Sequence, residues 1–143
     1  MRFFILFFIS LFIISCTNNY NPTVVSARKD ASEIGLKIME DGGNAFDAMI
    51  AVKLALSVSH PTAGNISGGG FMVYKLSDGS EGSLDFREKA PNSSSADMYL
   101  DEDGNVITGL SSLGGLAVGV PGTISAIFDI HEKFGLLPIE YLF

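Results

Sequence analysis

The sequence contains no tryptophan, one cysteine and two histidines among 143 residues. A lone cysteine, Cys16, excludes an intramolecular disulfide. His60 and His131 stand far apart, with neither a Cys-x-x-Cys nor a His-Glu-x-x-His pattern around them, so no zinc site or metalloprotease motif is offered. Each reads as a helix-end or surface histidine. Basic residues are also scarce: nine Lys and Arg face sixteen Asp and Glu, a formal charge of −7. Nucleic-acid affinity comes from clustered Lys and Arg that release counterions, and no such cluster exists, so a nucleic-acid partner is excluded. Gly68-Gly69-Gly70 invites comparison with a phosphate cradle, but no Gly-Lys-Ser/Thr follows, and the loop leads into a strand rather than a helix N-terminus. Asp101-Glu102-Asp103 opens like a calcium loop, yet the later oxygen ligands are misplaced and no Glu closes it. No metal and no cofactor are expected.

What the sequence does have is one long apolar run at its start. Arg2 supplies a positive charge and Phe3 to Ile14 an apolar stretch of about a dozen residues, too short for the roughly 20 that a spanning helix needs. Residues 1–15 therefore read as a signal peptide. Ile13-Ile14-Ser15-Cys16 resembles a bacterial lipoprotein box, which makes Cys16 the expected lipid-attachment site. An ordinary secretory signal with a chance cysteine is the alternative; the position of Cys16, where the apolar run stops and Thr17-Asn18-Asn19 begins, favours the lipoprotein. On this reading residues 16–23 are a lipid-anchored polar tether and residues 24–143 one domain's worth of chain. The protein is expected to be exported to the bacterial cell envelope or periplasm, touching the membrane only through its lipid anchor.

The rest alternates short elements without repeats. Thr23 to Ser26 is β-prone. Asp30 to Asp41 predicts a helix with Ile34 and Ile38 four apart, closed by Gly42-Gly43 where a left-handed C-cap is favoured. Asn44 then caps a second helix, Ala45 to Ser59, with Asp47 placed to complete the cap. Apolar residues fall on nearly every side of this helix, so it is expected to be mostly buried. After His60-Pro61, a loop through Gly70 carries four glycines that permit positive φ and close backbone approach. Phe71 to Leu76 and Gly82 to Arg87 read as a hairpin around Asp78-Gly79. Ser-rich and Gly-rich connections lead through Val120-Pro121-Gly122-Thr123 into a last helix, Ile124 to Phe134, stopped by Gly135.

Arg87 ends a strand in Asp85-Phe86-Arg87-Glu88. Two roles fit it equally: an exposed ion pair, which contributes little, or a fork that grips a ligand carboxylate through two parallel hydrogen bonds.

Several spaced segments belong together: Gly42-Gly43-Asn44-Ala45-Phe46-Asp47-Ala48, Ser59-His60-Pro61, Gly64-Asn65 with Gly68-Gly69-Gly70-Phe71, and Asp85-Phe86-Arg87-Glu88-Lys89-Ala90-Pro91. Val120-Pro121-Gly122-Thr123 and Lys133-Phe134-Gly135 with Leu137-Pro138 continue the series in order. In that order they resemble the N-terminal part of the γ-glutamyltranspeptidase family. The resemblance implies an α/β fold of the N-terminal-nucleophile hydrolase type, a four-layer α/β/β/α sandwich of which only the N-terminal portion is present. It implies a precursor that cuts itself into two subunits and exposes a Thr nucleophile, transferring the γ-glutamyl group of glutathione or other γ-glutamyl amides to water or an amino acid. Arg87 matches the family's ligand for the substrate α-carboxylate. No residue of this chain matches the nucleophile, so the missing small subunit of the same precursor is the expected partner, and the fragment alone is expected to be inactive. Ser67 stands where the family commonly has a further Gly. A lipoprotein that keeps this layer as a non-catalytic binding or structural module is the alternative.

Overall fold

The computed structural model describes residues 21–143; the signal segment, Cys16 and the start of the tether lie outside the described residues. Helix α1 (Lys29–Glu40) ends at Asp41, and Gly42 turns the chain with φ +99°, the left-handed geometry that glycine adopts without a side-chain penalty. The seam that α1 buries is Ala31, Gly35 and Ile38, while Ile34 stays 44 % exposed, so the packed face is rotated from the expected Ile34–Ile38 pair.

Asn44 begins helix α2 (Ala45–Ser59) with a full capping box. Its side-chain oxygen accepts from the Phe46 and Asp47 N–H groups at 2.8 and 3.0 Å, and Asp47 Oδ2 accepts from the Asn44 N–H at 3.0 Å. Only the first half of α2 is buried, at Asp47, Ala48, Ile50 and Ala51. Beyond it the helix is half-covered, and Val58 is 82 % exposed. The expectation of a mostly buried helix fails because full burial is confined to the N-terminal half; further along, Gly35 of α1 meets Val52 and Gly64 of the short helix that follows lies against Leu56, which covers only part of the helix. Pro61 opens a one-turn helix, α3 (Pro61–Gly64), in what sequence reading took for loop; Pro suits the first helical turn because its missing N–H would go unpaired there.

Strands β1 (Phe71–Lys75) and β2 (Glu81–Asp85) pair antiparallel, Phe71 opposite Asp85 and Lys75 opposite Glu81. Gly79 supplies the turn's φ of +87°, and Asp78 Oδ1 accepts from the Ser80 N–H at 2.8 Å. Met72, Tyr74 and Leu84 face inward by the strand's period of two, while Phe71 and Val73 face out. Helix α4 (Thr123–Phe134) follows a long connection, and a 3₁₀ turn at Ile139–Tyr141 ends the chain.

The core forms where α2 meets α1 and α4, around Ile38, Ile50, Ile127, Ile130 and Leu142. Phe46 and Phe134 stack at 4.3 Å between ring centroids. Tyr74 packs edge-on to both, at 5.7 and 4.9 Å, and so docks the hairpin on the helices. Thr23 to Ser26 forms no strand. The Val24 side chain lies against Gly35 of α1 instead, and no described strand pairs with this segment.

Candidate functional site

The site is built on two residues just past β2, where the backbone is gripped from both sides. Phe86 N–H donates to the Gly70 carbonyl at 3.0 Å, extending the hairpin ladder into the glycine run. Lys89 and Val120 exchange backbone hydrogen bonds of 3.1 and 2.8 Å. Between these anchors the chain is packed against glycines. A Cβ on Gly69 would meet the Phe86 carbonyl oxygen at 2.5 Å and Arg87 Cα at 2.7 Å, and a Cβ on Gly122 would collide with the same carbonyl. The loop's glycines thus act by close approach. None of Gly64, Gly68, Gly69 or Gly70 has positive φ, which corrects one of the two roles expected for them.

Arg87 projects from this clamped backbone with its side chain 63 % exposed. Its two flanking carboxylates leave the terminal nitrogens open. Asp85 Oδ1 accepts from the Arg87 backbone N–H at 3.0 Å, and Glu88 Oε2 stands 3.6 Å from Nε, too far for a good hydrogen bond. The Phe71 ring lies 5.9 Å from the guanidinium carbon, at the outer reach of a cation–π contact. Among the described residues no acceptor comes within hydrogen-bond distance of the guanidinium, so its fork is available for a planar anion. A cavity of about 330 Å³ adjoins it, lined by Asp85, Arg87, Lys89, Pro121, Ser125 and Asp129.

The other sequence candidates go elsewhere. His60 ends α2, and His131 Nε2 bonds the Leu137 carbonyl at 2.8 Å. Asp101 spends its carboxylate on the N–H of Asn105 above all, and then on that of Asp103, which hold it below the ordinary aspartate range, so it serves a turn. Sequence reading missed Thr123, which is 1 % exposed and hydrogen-bonded to Gly68, 55 residues away. The expected helix start at Ile124 made Thr123 look like an ordinary cap, whereas the structure places it inside the first turn, with Gly122 at the cap position.

A family model described as Gamma-glutamyltranspeptidase matches residues 31–143. The glutathione hydrolase proenzyme of Pseudomonas sp. (strain A14) is 56% identical over 115 residues, 80% of this chain and 20% of the relative. That of Escherichia coli (strain K12) is 42% identical over 117 residues, 82% of this chain and again 20% of the relative. The crystal structure of Helicobacter pylori gamma-glutamyltranspeptidase superposes with a TM-score of 0.80 at 46% identity, over 89% of this chain and 36% of that one. The chain therefore spans about a fifth of the length of these curated relatives.

Proposed function

Because this chain belongs to the γ-glutamyltranspeptidase family, we propose that it supplies the N-terminal part of the large subunit of a γ-glutamyltransferase / glutathione hydrolase, with Arg87 as the ligand of the donor's α-carboxylate. The mixed helix and strand architecture fits the N-terminal-nucleophile hydrolase class. We read the helices α1, α2 and α4 and the hairpin as part of the outer and inner layers of its four-layer α/β/β/α sandwich. The nucleophile is assigned to none of these residues and is expected in the small subunit of the same precursor.

The observation that carries the reading is the open fork of Arg87 on a backbone clamped by glycines. Two parallel N–H···O bonds to a carboxylate fix its position and its plane together. In a γ-glutamyl amide only a short carbon chain separates that carboxylate from the γ-carbonyl. Anchoring one end therefore restricts where the reacting carbon sits, the entropic part of catalysis that a binding residue can supply. The rigid seat matters because a guanidinium on a mobile backbone would lose that restriction.

The test joins residues 31–143 to the remaining four-fifths of the Pseudomonas sp. (strain A14) proenzyme and follows γ-glutamyl-anilide turnover. Arg87→Lys keeps the charge and loses the fork. Hydrogen bonds to charged groups are typically about 1.5–3 kcal/mol, so donor KM should rise by roughly one to two orders of magnitude for each one lost. Unchanged donor kinetics would return Arg87 to a surface pair with Glu88. Lipid attachment at Cys16 is proposed from the sequence alone. The expressed chain should fractionate with membranes and Cys16→Ala should release it or leave it unprocessed, whereas a wild type that is wholly soluble, with an unmodified thiol by mass spectrometry, would refute it.

A further inference from the structure

The residue at the cap position of α4 is Gly122, which has no side chain to satisfy the helix's first N–H groups. Their acceptor comes from a distant part of the chain. The Gly68 carbonyl accepts from the Gly122 N–H and the Thr123 N–H, both at 3.1 Å, and from the Thr123 hydroxyl at 2.9 Å. One carbonyl oxygen thus takes three donors from the start of α4, and the buried Thr123 hydroxyl is the only side chain among them. The next residue, Gly69, is the one at which any Cβ would run into the Phe86 carbonyl and Arg87 Cα. Gly122, on the other flank, abuts that same carbonyl.

The chain of contacts runs from the Thr123 hydroxyl to Gly68, from Gly69 to the backbone of Arg87, and from there to the guanidinium. We propose that Thr123 is a positioning residue for donor binding: its hydroxyl fixes the height of the glycine run against α4 and thereby sets where the Arg87 fork stands. The hydroxyl adds a third bond to the glycine loop, whose next residue, Gly69, packs against the backbone of Arg87. This inference rests on the assignment of Arg87 to the donor carboxylate.

The experiment uses the same joined proenzyme and measures KM and kcat separately. Thr123→Val keeps the volume and removes the donor, and Gly68 retains its two backbone bonds, so the expected result is a rise in donor KM of roughly fivefold, the scale of one neutral hydrogen bond. The kcat per mature active site should stay within about twofold, and Thr123→Ser should restore KM. A lower yield of mature enzyme with wild-type KM, or a Ser variant as impaired as Val, would show that Thr123 serves stability only. If the Val variant fails to mature, Thr123→Cys, a weaker donor in similar space, must give an intermediate KM; a wild-type value overturns the proposal. Arg87→Lys in the same assay separates the two ideas. If it leaves KM unchanged, the donor-site reading fails; if it raises KM while Thr123→Val does not, only the positioning role fails.

Discussion

All the buried apolar side chains of the core among the described residues come from Ala31 to Ala51 or from Ala126 to Leu142, whereas no residue between Ala90 and Pro121 is buried. The two regions hold their shape differently. The helical layer excludes water from Ile38, Ile50, Ile127 and Ile130, and its N-terminal cap reaches across the fold: Asn44 Nδ2 donates to the Phe134 carbonyl at 2.6 Å. The connecting segment relies on turns closed by their own residues, such as Asp101 with Asn105, and on the Tyr99 hydroxyl donating to the Leu116 carbonyl at 2.9 Å. Hydrophobic burial holds the first region, and solvent-accessible hydrogen bonds hold the second, so stability should be concentrated in the helical layer and only local order in the connecting segment.

Truncating the core tests this contrast most strongly. Ile50 is 0 % exposed, so Ile50→Ala should lower unfolding free energy by about 2–5 kcal/mol, read as a shift of the urea midpoint at unchanged slope. Leu113, 77 % exposed, is the counterpart, and Leu113→Ser should stay within about 0.5 kcal/mol. Equal effects would erase the distinction. A middle-sized effect is expected at the cap. Asn44→Ala removes the acceptor for two N–H groups and the bond to Phe134, about 1–2 kcal/mol together.

The smallest effect is electrostatic and confined to the exposed segment. The Asn105 N–H, followed by weaker donors, holds the Asp101 carboxyl below its ordinary range. A depressed folded pKa contributes order that is fully present above the unfolded value, near 3.9, and is lost as pH falls through the lower folded one. The Asn105 amide resonance should therefore titrate with a midpoint below about 3.9 while the amide of Ile50 stays still. A midpoint at or above that value would remove the claim, and a coupled shift at Ile50 would join the two regions.

The same contrast explains what the sequence made legible. Caps and turns that close within a few residues could be read directly: Asn44 with Asp47, Gly42 past α1, and Asp78-Gly79 in the hairpin all rest on local hydrogen bonds. Arg87 was legible as a strand-end cation, but its two possible roles could be weighed only once the distances to Asp85 and Glu88 were known. Thr123 was hidden because its partner lies 55 residues away. The failed strand at Thr23 and the half-covered end of α2 share a cause: β-propensity and apolar periodicity describe what a segment can bury, and neither names the neighbour that buries it.

The carboxylate of Asp47 carries a consequence for timing. It receives the Asn44 N–H from its own turn, but it also receives the Leu136 N–H, at 3.2 Å to both oxygens and 89 residues further along. A ribosome delivers residues in order, so the first two helices and the hairpin emerge well before the donor that closes over Asp47. Until Leu136 arrives, water must satisfy that side of the carboxylate, and the first half of α2 cannot be sealed. The hairpin, whose pairs are near in sequence, has no such wait, and loop-closure entropy places the long contact last. The cap of α2 is therefore complete within its own turn, but the sealing of its carboxylate depends on a contact 89 residues away.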